Sequence, residues 1–317
     1  MSPDEGHGTK ATVAALAANT GIAIAKFVAF AFTGSASMLA EGIHSIADTC
    51  NQALLLFGVR RSKREATEQH PFGYGRERYF WSFMVAVVLF TVGSVFSIVE
   101  GLDKLRHPHE IESLRWAIGV LGVAIVLESF SLRTAVHEAN AVRATRPDGS
   151  RVGWWTFIRR AKAPELPVLL LEDLGALVGL AFALIGITFA AVTYEPRYDA
   201  VGSLAIGVLL GVIAIVLAIE LRSLLIGEGA SEADLKAIEE AIANEEHVED
   251  VFHVRTLHIG PDDLMVAAKV RLRADLHFPE VADAINRIEE RVRERVPAAK
   301  TIYIEPDVEG SKLWSKD

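Results

Sequence analysis

Residues 41–56 read EGIHSIADTCNQALLL, an apolar stretch of helical character that is interrupted by ionisable side chains. Glu41, His44 and Asp48 stand at positions i, i+3 and i+7, so they project from one face of a helix. Imidazole nitrogens and carboxylate oxygens are ligands for zinc, and oxygen-rich mixtures also suit manganese or iron. The alternative is a polar seam of hydrogen bonds between helices. Three ionisable residues on one face favour binding of a metal ion or protons.

A second apolar run, residues 166–191, carries Glu172 and Asp173 side by side. Ionisable groups at membrane depth cost about 2.5–3.5 kcal/mol each, so the four carboxylates of the two runs resist burial by roughly 10 kcal/mol. A chain that keeps such groups is expected to place them against a partner helix, a wet cavity or a cation, which indicates ion translocation. Neighbouring residues on a helix point about 100° apart, so Glu172 and Asp173 cannot both point squarely at one ion. Glu172 is interpreted either as a direct ligand or as an acid that supports the ligands or faces the lumen.

A further acid, Glu128, lies in another apolar segment, residues 115–137, close to two serines. It is interpreted either as a proton relay or as the partner of Arg133. The single cysteine, Cys50, is interpreted as a small packing residue, and one cysteine excludes an internal disulfide. No HExxH or Gly-x-Ser-x-Gly motif occurs, so the chain is not expected to be an enzyme.

The composition divides the chain into two parts. Of its 317 residues 51% are hydrophobic, yet the formal net charge is −9. Residues 228–317 hold 21 acidic and 12 basic side chains, and residues 1–227 are balanced. This predicts a membrane domain over 1–227 and an acidic soluble domain over 228–317. No basic face dominates, so nucleic acid is not an expected partner.

Six apolar segments approach the length of about 20 residues that crosses a lipid bilayer. They lie near 11–32, 36–58, 80–100, 115–137, 166–193 and 200–223. The 59–79 and 139–165 connectors each hold six Lys or Arg, whereas the other connectors hold few. The positive-inside rule then places both basic connectors and both termini in the cytoplasm. Residues 1–10 are polar and no cleavable signal is visible, which fits an integral protein of a bacterial inner membrane.

The C-terminal part alternates between helix and strand patterns. Ser231 is expected to cap a helix that runs to about residue 244, and an apolar stripe from Phe278 to Val296 predicts a second helix. Strands are predicted at 251–259, 264–272 and 301–304, the first two joined by a Gly-Pro-Asp-Asp turn. The α-β-β-α-β order predicts a three-stranded sheet covered by two helices, a small α+β domain.

The sequence resembles the cation diffusion facilitator family. The resemblance rests on residues 34–48 (GSASMLAEGIHSIAD), 70–78 (HPFGYGRER) and 224–228 (LLIGE) and covers the whole chain. Residues 170–173 (LLED) look like the zinc-transporter-nine-like branch. The resemblance implies six transmembrane helices, a ferredoxin- or metallochaperone-like cytoplasmic domain that forms a homodimer, and efflux of a divalent cation in exchange for protons by alternating access. Zinc is the expected substrate, and no organic cofactor is implied.

Two alternatives to zinc efflux remain open. One is a manganese, iron or cobalt exporter with the same mechanism, suggested by the oxygen-rich ligand set. The other is a non-transporting membrane scaffold that senses metal. The transport site implied by the resemblance takes His44 and Asp48 from the second segment and Asp173 from the fifth. Leu169 occupies the place of a further ligand, so the site must recruit Glu41, Glu172 or water, or it must bind metal more weakly.

The resemblance also implies weaker metal sites outside the membrane. In the 59–79 connector His70 matches a ligand position, but Tyr74 stands where a second His is often found. His70 is therefore expected to cap this loop. In the C-terminal domain Lys269 replaces an expected His, so that a bridging zinc pair should be vestigial at most, and the nearby candidates are His253, Glu305 and Asp307.

Overall fold

The computed structural model describes residues 36–108, 114–143 and 152–307, with positions 13, 16–17, 19–21, 23–24, 27–28 and 31. Within these ranges, the side chains of residues 36–44 and 114–117 lie outside the description. The chain divides into two compact units. One comprises residues 1–64 and 77–222, and the other comprises residues 65–76 and 223–317.

The described part of the first unit is built from helices. They are α1 (Ala36–Ser62), α2 (Glu77–Val88), α3 (Phe96–Arg106), α4 (Leu114–Arg143), α5 (Trp154–Arg160), α6 (Glu165–Thr193) and α7 (Arg197–Ile226). A π-helical segment, Leu89–Val95, joins α2 to α3 without a break. Helix α6 ends where Tyr194 adopts a left-handed conformation with φ 57°. Helix α1 packs against α2, and α4 packs against α6.

Four helices of the described chain are long and apolar enough to cross a membrane. They are Glu77–Arg106, Ile118–Arg143, Glu165–Thr193 and Arg197–Ile226. These helices confirm the last four predicted spans. The predicted span at 36–58 forms α1 but is not among the four, and the span at 11–32 lies largely outside the described residues. Large apolar side chains such as Phe130 and Val192 are more than two-thirds exposed, as expected for residues that face lipid.

Small residues let the long helices approach one another closely. A Cβ atom on Gly207 would lie 2.6 Å from Cγ1 of Ile98, and the Ser94 hydroxyl donates a 2.8 Å hydrogen bond to the Gly207 carbonyl oxygen. Helix α7 therefore contacts the α2–α3 segment almost backbone to backbone. Gly175 of α6 plays the same part, because a Cβ there would lie 2.7 Å from Cδ1 of Ile213 in α7. These contacts fix α6 beside α7.

The second unit confirms the predicted α-β-β-α-β order. Its elements are α8 (Glu232–Ala243), β1 (Val248–Gly260), β2 (Asp263–Leu272), α9 (Phe278–Arg295) and β3 (Ala299–Asp307). The sheet order is β1-β2-β3, with β1 antiparallel to β2 and β2 parallel to β3. Strands β1 and β3 are longer than predicted, because their ends pair with Leu272 and Leu264 of β2.

Local signals in this unit have the expected physical basis. The Ser231 hydroxyl accepts a hydrogen bond from the Asp234 backbone N–H at 3.1 Å, which confirms the predicted cap. Isoleucines and valines of α8 and α9 pack on β2 and form the core. The predicted stripe was wrong at Phe278, which is 84% exposed because it opens α9 before the helix reaches the sheet.

The connector between α1 and α2 belongs to this second unit. Gly75 lies directly against the end of β1, since a Cβ atom there would be 2.5 Å from the Ile259 carbonyl oxygen and 2.9 Å from the Cα of Gly260. Only glycine permits such an approach of two backbones. The connector that carries His70 is therefore packed on the sheet domain.

Candidate metal centre

Helix α1 presents a row of polar side chains to the interior of the first unit. Asp48 is half-buried, and Asn51 and Gln52, about one turn further on, are 1% and 0% exposed. Gln52 accepts a 3.2 Å hydrogen bond from Nδ2 of Asn19. The predicted ligands Glu41 and His44 lie on α1 as well, but their side chains fall outside the described residues.

The adjacent acids of α6 are both buried and are held by two different helices. Glu172 is 5% and Asp173 is 2% exposed. Nδ2 of Asn51, on α1, donates to Oε1 of Glu172 at 2.8 Å. The hydroxyl of Ser131, on α4, donates to Oδ2 of Asp173 at 2.8 Å. Because neighbouring helical residues diverge by about 100°, each acid meets its own partner helix.

Four carboxylates share this interior region. Glu172 interacts electrostatically with Asp48, Asp173 and Glu128, and Asp173 interacts with Asp48. Glu128 on α4 is half-buried, whereas Arg133 is exposed. Like charges at low dielectric repel each other strongly and cannot all remain ionised without compensation. Protons or a bound cation would supply that compensation.

Leu169 has a packing role that explains its place in the helix. It is 1% exposed and lies in an apolar cluster with residues of α4 and α5, among them Ala135, Ala139 and Phe157. The α6 position one turn before Asp173 is therefore part of the contact between helices. The additional carboxylate on α6 comes from Glu172, which the Asn51 hydrogen bond directs towards α1.

No set of three or more His, Cys, Asp or Glu side chains in the described chain has the arrangement of a metal centre. That finding does not include the imidazole of His44 or the carboxylate of Glu41, which lie outside the description. The three carboxylates at the α1–α6 contact, those of Asp48, Glu172 and Asp173, form the described part of the candidate centre. Oxygen donors of this type suit divalent cations.

The predicted loop candidate His70 is exposed. Its backbone N–H donates to the Thr67 carbonyl oxygen at 3.0 Å, and its ring lies 4.7 Å from the Tyr74 ring. The Gly73 N–H in turn donates to the His70 carbonyl oxygen at 2.9 Å. His70 therefore contributes backbone hydrogen bonds that close the loop.

The candidates in the sheet domain surround a lysine. His253, Lys269 and Glu305 are paired across β1, β2 and β3. Nζ of Lys269 lies 2.8 Å from Oδ2 of Asp307 and 3.2 Å from Oε1 of Glu305. Hydrogen bonds with Asp307 and then Glu305 raise the pKa of Lys269. The ammonium group therefore gives both acids a positively charged partner.

One buried ion pair in the helical unit was not predicted. Nε and Nη2 of Arg78 bind Oε1 and Oε2 of Glu165 at 2.6 and 2.8 Å, and both side chains are buried. The two residues are 87 positions apart and open α2 and α6. By sequence alone, Arg78 is one of the six basic residues of the 59–79 connector. The roles of Asn51 and Ser131 were also missed, although both stand near acids at helical spacing.

Comparison with known proteins identifies the class. The chain is an integral membrane protein with buried carboxylates between its helices, joined to a small α+β domain. The cation efflux transmembrane domain matches residues 12–226, and the cytoplasmic domain of cation efflux proteins matches residues 230–307. The chain belongs to the cation efflux family.

Three relatives show the range of this similarity. The mitochondrial proton-coupled zinc antiporter of Homo sapiens is 34% identical over 253 residues, which are 80% of this chain and 43% of the relative. Metal tolerance protein C4 of Arabidopsis thaliana is 31% identical over 83% of this chain and 57% of its own length. Magnetosome protein MamB of Magnetospira sp. is 25% identical over 85% of each chain. The chain thus spans about half the length of the first two.

Proposed function

We propose that this protein exports a divalent metal cation, with zinc as the first candidate, in exchange for protons by alternating access. The observation that carries the proposal is the group of interior carboxylates on three helices: Asp48 of α1, Glu128 of α4, and Glu172 and Asp173 of α6. Membrane proteins retain ionisable groups in their spans where these groups serve ion or proton pathways. The similarity to a proton-coupled zinc antiporter supports the same reading.

The expected ligands are His44, Asp48 and Asp173, with Glu172 or Glu41 in place of the ligand that Leu169 cannot supply. A metal ion binds a neutral imidazole and ionised carboxylates, so loading of the ion releases protons and protonation releases the ion. One set of side chains can then bind metal on one side of the membrane and protons on the other. Glu128, half-buried near Glu172, is a candidate for passing protons to this site.

We assign transport to residues 1–227 and dimerisation or regulation to residues 228–317. The match of residues 230–307 to the cytoplasmic domain of cation efflux proteins supports this assignment. We expect a homodimer in a lipid bilayer with both termini in the cytoplasm, and a bacterial inner membrane as its location. The basic residues of the two connectors support the orientation.

The decisive experiment is zinc flux into proteoliposomes under an imposed pH gradient. Wild type and Asp103→Ala should transport, whereas Asp48→Ala should fall to the background of protein-free liposomes. Asp103 is a matched control because it is an exposed acid of the same unit, paired only with His107 among the contacts described. Gradient-driven flux that persists in Asp48→Ala would contradict the assignment.

Two other functions are each favoured by a specific observation. The oxygen-rich interior site favours a manganese, iron or cobalt exporter, and substitution of these ions in the same flux assay tests it. The packing of Leu169 favours a metal-sensing scaffold that does not transport, because one ligand position is lost to the apolar cluster. Measurable binding without flux for all four ions would support the scaffold.

A further inference from the structure

Asn51 and Glu172 form a buried pair with an unusual feature. Nδ2 of Asn51 donates to one oxygen of Glu172, at 2.8 Å. The other side-chain oxygen of each residue, Oδ1 of Asn51 and Oε2 of Glu172, is buried and has no hydrogen-bond partner among the residues described. Both atoms are acceptors, and they belong to residues that already touch across the α1–α6 contact.

Two such oxygens on side chains that contact each other require an explanation. A buried acceptor without a hydrogen-bond partner destabilises the folded state, and folded proteins contain few such atoms. The charges of Asp48 and Asp173 interact with Glu172, which adds negative potential at the same point. A positively charged group that contacts these oxygens would satisfy them and would also reduce the repulsion among the carboxylates.

The neighbouring residue Gln52 provides an internal contrast. It is also a fully buried amide on α1, but its oxygen accepts a hydrogen bond from Asn19. The atom of Gln52 without a described partner is Nε2, which is a donor. A cation cannot use a donor. The two adjacent amides therefore differ in the one property that an ion would recognise.

We propose that Asn51 contacts the transported ion directly. Its Nδ2 holds Glu172 in place, while its Oδ1 and Oε2 of Glu172 supply two oxygen ligands to a divalent cation beside Asp48. This inference rests on the proposed function and extends its ligand set by one neutral amide oxygen. Amide and carboxylate oxygens together form the ligand type of hard divalent cations.

Zinc affinity of the purified full-length protein, measured by calorimetry, tests this assignment together with the KM for zinc flux. Asn51→Leu removes both polar atoms and should weaken zinc binding about 10- to 100-fold, the usual cost of losing a group that supports a metal site. Asn51→Asp keeps a side-chain oxygen but cannot donate to Glu172, and it should recover most of the affinity. Gln52→Leu is the matched control and should stay within about threefold of wild type.

The outcomes separate this inference from the proposed function. Wild-type affinity in Asn51→Leu, with flux abolished in Asp48→Ala, overturns the role of Asn51 and leaves the exporter intact. Equal weakness of Asn51→Leu and Asn51→Asp overturns direct contact, because Asn51 would then act only through its N–H. Unchanged flux in Asp48→Ala instead overturns the proposed site. If Asn51→Leu aggregates on size exclusion, Asn51→Ala, which also lacks both polar atoms, replaces it in the same comparison.

Discussion

The helical unit and the sheet domain pair their acidic side chains with different kinds of groups. In the sheet domain, Nζ of Lys269 lies 2.8 Å from Asp307 and 3.2 Å from Glu305. That ammonium group cancels charge and leaves the two acids with a built-in counterion.

In the helical unit, the described hydrogen bonds to Glu172 and Asp173 come from neutral groups, the amide of Asn51 and the hydroxyl of Ser131. A neutral donor orients a carboxylate without cancelling its charge. The negative charge therefore remains for a cation or for protons. A carboxylate with a cationic partner is therefore a structural acid, whereas a carboxylate held by neutral donors can still bind an ion.

The largest expected effect follows from removing an acid that has only a neutral partner among its described hydrogen bonds. Asp173→Ala should reduce gradient-driven zinc flux to the liposome background, because it removes a predicted ligand, while the protein still folds. Flux in proteoliposomes and elution on size exclusion measure the two properties. Glu220→Ala serves as the control, since Glu220 is an acid of α7 that pairs with Arg159 at 3.1 Å. Equal flux in the two variants would contradict the role of Asp173 as a ligand.

A large effect on stability is expected where the helical unit contains its own ion pair. Arg78→Leu leaves Glu165 buried without its bidentate partner, which should cost about 3–5 kcal/mol of unfolding free energy. Arg61→Leu is the control, because its 3.3 Å pair with Glu77 is more exposed and should contribute about 0–1 kcal/mol. Denaturant unfolding in detergent measures both.

A second variant makes the Arg78 result specific. Replacing Arg78 and Glu165 together by leucine removes the uncompensated charge and should recover most of the lost stability. If Arg78→Leu and Arg61→Leu are equally stable, the buried pair has no special role. If the double variant is no better than Arg78→Leu, the loss reflects packing rather than charge.

Much of the fold was predictable because its signals are local. The lengths of four apolar runs, the Ser231 cap and the strand-turn-strand pattern around Pro261 each depend on residues close in sequence. Membership of Asp48, Glu172 and Asp173 in an interior acidic region was also predictable, since charges in apolar runs are rare and costly.

The partners of these acids could not be predicted, because each partner lies on another helix. Ser131 and Asp173 are 42 residues apart, and Asn51 and Glu172 are 121 apart. Helical spacing shows which residues share a face but not which face meets which helix. The prediction for Phe278 was wrong for a related reason. The apolar stripe predicts which face of α9 is buried, but not at which residue that helix first contacts the sheet.

A moderate effect is expected when only the orienting hydrogen bond is removed. Ser131→Ala keeps Asp173 but frees its carboxylate to rotate, and should weaken zinc affinity about tenfold. Ser129→Ala is a close control, because the exposed Ser129 hydroxyl bonds only to the Ile125 carbonyl oxygen of its own helix, at 2.6 Å, among the contacts described. Calorimetry measures both. Equal affinities would show that Asp173 needs no orientation from α4.

The smallest expected effect concerns the ion pairs of the sheet domain and appears only at high pH. Hydrogen bonds with Asp307 and Glu305 raise the pKa of Lys269 above its ordinary value of 10.5. The stabilisation is therefore complete below pH 10.5 and is lost as the pH rises through the higher pKa of the folded state. Thermal unfolding of the wild type should show this loss, whereas Lys269→Met should lack that component.

Lys236→Met, which alters an exposed lysine 4.0 Å from Glu240, should retain the wild-type profile. An identical pH profile in Lys269→Met would mean that the acids do not depend on this ammonium group, and the contrast with the helical unit would fail.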